Sequence, residues 1–99
     1  MEILEQTRTT HKINLIDGIF KTSEASDIIN SVLNVKINFH KLSRLSINEG
    51  DHNDECKFDS GRIAQLLNEQ QIAKDFFSQA KLNGKKLKMR SVIHIEIED

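Results

Sequence analysis

Between residues 86 and 98 the apolar side chains Leu87, Met89, Ile93, Ile95 and Ile97 fall on one parity, and Lys86, Lys88, Arg90, His94, Glu96 and Glu98 on the other. Alternation over this length predicts a strand, about residues 85–98, with one apolar face. A lone strand cannot satisfy its backbone, so a partner strand is required. It is found near the other end of the chain, about residues 9–17, where Ile13 and Leu15 lie two apart and Thr9 and Thr10 add β-branched propensity. Gly18 is expected to end it, while residues 2–8 leave its start undefined.

Two helical patterns fill the interval. Thr22 is the expected N-cap of the first, about residues 23–46, with Glu24 in its first turn. Its residues Ala25, Ile28, Val32, Val35, Phe39 and Leu42 step by three and four in alternation. That heptad spacing predicts a narrow seam for a partner helix, beside a second line, Ile29, Leu33 and Ile37, expected to face the sheet. An acidic, turn-forming stretch, about 48–59, follows. Asp59 or Ser60 is expected to cap a second helix, about 60–82, whose apolar residues are Ile63, Leu66, Leu67, Ala73, Phe77 and Ala80. Asn83-Gly84 supplies a left-handed stop.

The order strand, helix, helix, strand predicts an α+β fold: a two-stranded antiparallel β-ribbon packed on an antiparallel helical hairpin. With 99 residues the chain is expected to form a single domain, 1–99. A hydrophobic fraction of 37% and a charged fraction of 29% exclude both a disordered tail and a membrane protein. The formal net charge of -1 provides no global attraction to nucleic acid or to an anionic bilayer. Cys56 is the single cysteine, so no internal disulfide forms, and a start lacking a basic, apolar signal points to the cytoplasm. No metal or cofactor is expected.

A helical wheel places Lys36 and His40 within the apolar sector of the first helix, and Gln70 and Lys74 on the corresponding face of the second. An antiparallel hairpin brings these four to similar levels. Buried cations without a carboxylate would attract a small anion or a carboxylate from a second chain. The plainer alternative is that the lysines snorkel to solvent and His40 bonds a backbone carbonyl. A second cluster, Lys81, Lys85, Lys86, Lys88 and Arg90, contains no acid and offers possible phosphate contacts. Tryptophan and tyrosine are absent and the phenylalanines fall mostly on helical faces, so no stacking platform for single-stranded bases is evident.

The loop from Asp51 to Cys56 carries metal-ligand residue types but fails the calcium-loop pattern, with Cys56 at position six and Arg62 at position twelve. His11 and His94 are expected on opposite ribbon faces, so they do not complete a zinc site. No phosphate-binding glycine loop, nucleophile elbow or paired-carboxylate signature points to an enzyme.

Asp17-Gly18-Ile19-Phe20, Glu24-Ala25 and Lys36-Ile37-Asn38-Phe39-His40 together resemble a group of small uncharacterised bacterial proteins, over most of residues 12–97. The resemblance implies a small stand-alone cytoplasmic protein and no particular substrate. The sequence thus predicts a non-enzymatic protein-interaction module, forming a homodimer through its ribbon edges or binding another protein. A nucleic-acid-binding accessory protein using residues 81–90 is the alternative, and a small-anion-binding protein a further one.

Overall fold

The structure, a computed structural model, describes residues 9–98. Its elements are β1 (Thr10–Phe20), α1 (Thr22–Gly50), α2 (Lys57–Leu82) and β2 (Leu87–Glu96). The α+β order and the antiparallel pairing of the two strands are as expected. The chain divides into two compact units, one holding the ribbon and the other spanning Phe20–Leu87.

In the ribbon, the Ile97 N–H donates to the Thr9 carbonyl at 2.9 Å. This register sets Lys12 opposite His94 and Asn14 opposite Val92, and those four residues line one shallow depression on the same face. His11 lies on the other face by alternation. Gly18 does not end β1, which continues to Phe20. β2 is shorter than expected, so Lys86 precedes it rather than sharing its outer face with Lys88 and Arg90. Residues 2–8, where the start of β1 was open, lie outside the described residues. Ile13, Leu15, Ile93 and Ile95 each remain at least two-fifths exposed, against the expected burial of this face. A two-stranded ribbon gives each side chain only one cross-strand neighbour, and alternation alone cannot close the face.

The hairpin is built on a heptad seam on each helix. Along α1 the residues turned toward α2 are Asn30, Leu33, Ile37 and His40, stepping three, four, three. Along α2 they are Asp59, Ile63, Leu66 and Gln70, stepping four, three, four. Ile37, Ile63 and Leu66 form the buried centre, with Leu33 packed against it. Each contributes about 2 kcal/mol through removal of apolar surface from water. Ala25 and Ala80 are buried as well, and the Gln70 Nε2 donates to Asn34 Oδ1 at 2.9 Å across the pair.

The two apolar lines of α1 therefore exchange the roles the sequence suggested. Leu33 and Ile37 meet the partner helix, whereas Val32, Val35, Phe39 and Leu42 are exposed. Both lines have heptad spacing once polar members are admitted, so spacing alone does not choose between them.

The termini also differ from expectation. Lys21 is the N-cap of α1, where its backbone N–H donates to Glu24 Oε1 at 2.9 Å. Thr22 instead donates its hydroxyl to the Lys85 carbonyl at 3.0 Å. The inter-helix loop shrinks to residues 51–56, because Glu49 and Gly50 complete α1 and α2 begins at Lys57. Cys56, not Asp59 or Ser60, is the N-cap of α2, in a left-handed conformation with φ 50°. At the far end Gly84 adopts φ 64°. Its N–H reaches the Lys81 carbonyl at 3.1 Å, and that of Lys85 the Ala80 carbonyl at 3.2 Å. This is the expected left-handed termination, in Schellman form.

Candidate functional site

One turn beyond Ile37 the α1 seam reaches His40, and one turn before Ile63 the α2 seam reaches Asp59. Because the helices run antiparallel, both residues arrive at the loop end of the hairpin. His40 is 2% exposed and Asp59 4%. Their contact is a hydrogen bond of 2.8 Å between Nδ1 and Oδ1. Ser43, nearly one turn after His40, donates its hydroxyl to Asp59 Oδ2 at 3.0 Å. Both carboxylate oxygens are thus engaged by α1. Beside them Arg44 donates to the Ser60 hydroxyl at 3.2 Å, a second link between the helices.

The hydrogen bond from His40 is the main influence that holds the Asp59 carboxyl below the ordinary carboxylate range. Burial opposes it, while Ser43 and the charges of His40 and Arg44 act in the same direction as the bond. Asp59 is accordingly ionised at neutral pH, and Nδ1 carries the proton shared with it. The other ring nitrogen, Nε2, is buried and has no hydrogen-bond partner among the described residues. Phe39 and Phe58 stand edge-on to the imidazole, with centroids 5.3 and 5.9 Å away.

An imidazole oriented by a carboxylate is the arrangement of general bases and of metal ligands. Either role needs a reacting atom or an ion within reach of Nε2. That nitrogen is enclosed, and among the described residues no group of three or more metal-binding side chains comes together. What this arrangement does do is fix the level of one helix against the other, since a one-turn slip would leave two buried polar groups unpaired.

The four residues singled out by the wheel do not converge. His40 is buried, and its partner is the carboxylate of Asp59 in the same chain, not one from a second chain or a backbone carbonyl. Lys36 is exposed, as in the plainer reading, with Nζ 4.8 Å from the centroid of the Phe39 ring. Gln70 is bonded to Asn34, and Lys74 is exposed beside it along the same groove. Asp59 carries no distinct signal of its own in the sequence, because an acid at the start of a helix reads as a cap. Extending the α2 heptad backward through Ile63 would have found it.

Lys81, Lys85, Lys86, Lys88 and Arg90 are all exposed. Lys81 lies in the last turn of α2, where its charge complements the helix dipole, and Lys88 and Arg90 lie on β2. Cys56 is buried at the hairpin loop. Its N–H donates to Asp54 Oδ1 at 2.8 Å, and its thiol lies 3.6 Å from Asn48 Oδ1. Burial pushes the thiol pKa up, and the nearby Asp54 carboxylate adds to the effect.

Among the described residues no helix is long and apolar enough to cross a membrane. No protein-family model matches the chain, and no curated protein or solved structure matches it.

Proposed function

We propose that the protein is a non-enzymatic cytoplasmic module that acts by associating with a second copy of itself, its ribbons pairing edge to edge into a four-stranded sheet. The observation that carries this reading is the ribbon itself: among the described residues, two strands, both with an open edge, and apolar residues that are half exposed. Two-stranded ribbons are marginal in water, and unpaired edges are templates for another strand.

The register identifies the groups available for pairing. Thr9 and Ile97 turn their backbone groups toward each other, so the N–H groups of Lys12, Asn14, Val92 and His94 point outward. Hydrogen exchange measured against protein concentration tests the reading. The amides of one outward pair, Lys12 with Asn14 or Val92 with His94, are expected to gain protection as concentration rises. Equal exchange at all concentrations would exclude edge pairing.

A further inference from the structure

The heptad line Val32, Val35, Phe39 and Leu42 is left outside the hairpin. Val35 is 71% exposed and Leu42 67%, although both belong to a helix that already has a partner. This line lies about 150° around α1 from the seam that meets α2, at 100° per residue. We infer that it is a second coiled-coil seam, occupied by the same residues of α1 from a second copy lying parallel to it. The inference rests on the self-association proposed above and assigns it a helical surface in addition to the ribbon edges.

Three features favour this occupant. Steps of three and four residues repeat every 3.5 residues, a period that another long helix matches and a strand, with its period of two, does not. The four side chains, with Leu45 beside them, expose on the order of 500 Å² per copy, so complete coverage in a pair would remove about 1,000 Å², the lower limit for a specific interface. The flanking residues then set the direction. Ser31 and Asn38 flank the seam on one side and Lys36 on the other. In a parallel pair Lys36 meets Ser31 of the second copy, and no like charges face each other. An antiparallel pair centred on Val35 would set Lys36 against its own counterpart.

Cysteine cross-linking tests both the seam and its direction. Cys56 is buried, so the unaltered chain is the control and is expected to give no covalent dimer under mild oxidation. Leu42→Cys, away from the centre of the line, is expected to give a covalent dimer in high yield. Absence of that dimer while the chain is dimeric in solution would overturn the inference and leave self-association standing. A chain that is monomeric throughout would overturn both. As a second measurement, Val35→Glu with Phe39→Glu is expected to lower the self-association constant at least tenfold at unchanged helical content, since both residues are exposed. An unchanged constant would also overturn the seam.

Discussion

His40 and Asp59, nineteen residues apart in sequence, close the hairpin with a buried hydrogen bond of 2.8 Å, and the carboxylate has a second donor in Ser43. Removing one partner strands the other. His40→Leu is expected to lower the melting temperature by on the order of 10 °C, while the double variant His40→Leu with Asp59→Leu recovers most of the loss. Thermal unfolding of the two variants and the parent, followed by circular dichroism, checks this. A double variant no better than the single one would mean that the pair does not act as a unit.

The same pair makes stability depend on acid. Asp59 is held below its unfolded value chiefly by the bond from His40. A group with a depressed folded pKa contributes stability that is fully present above its unfolded value, near 4, and lost as the pH falls through the folded one. Denaturant midpoints measured from pH 5 down to pH 2 are therefore expected to fall more steeply in the parent than in Asp59→Asn. Parallel profiles would remove Asp59 from the account.

Much of this arrangement can be read from residue spacing. Alternation located both strands, and Asn83-Gly84 marked the end of α2, because period two and a left-handed glycine are local properties of the chain. The roles of the two lines on α1 were not local. Val32, Val35, Phe39 and Leu42 form the more apolar heptad, yet the hairpin uses Leu33, Ile37 and His40. What α2 offers opposite them includes the Asp59 carboxylate, which His40 and Ser43 both reach. Lys36 lies beside buried Ile37 on the wheel, yet its long stem reaches outward over Phe39, as the snorkelling alternative has it.

Gly84 stops α2 with φ 64°, and a Cβ there would meet nothing within 4 Å. Gly84→Ala therefore suffers only the left-handed backbone cost, and is expected to destabilise the chain by about 1 kcal/mol. Urea midpoints at constant slope measure it. A neutral substitution would show that this termination does not hold the end of the helix.

Cys56 combines burial with a raised thiol pKa. Its alkylation at pH 8 is expected to be at least tenfold slower in the native chain than in denaturant, because both access and thiolate fraction are reduced. Similar rates would indicate that the loop of residues 51–56 opens readily.

Self-association is the central claim, and the solution mass tests it most directly. Light scattering over a hundredfold range of concentration is expected to converge at the upper end on a multiple of 11.4 kDa, beginning with two copies. A mass of 11.4 kDa throughout would contradict it.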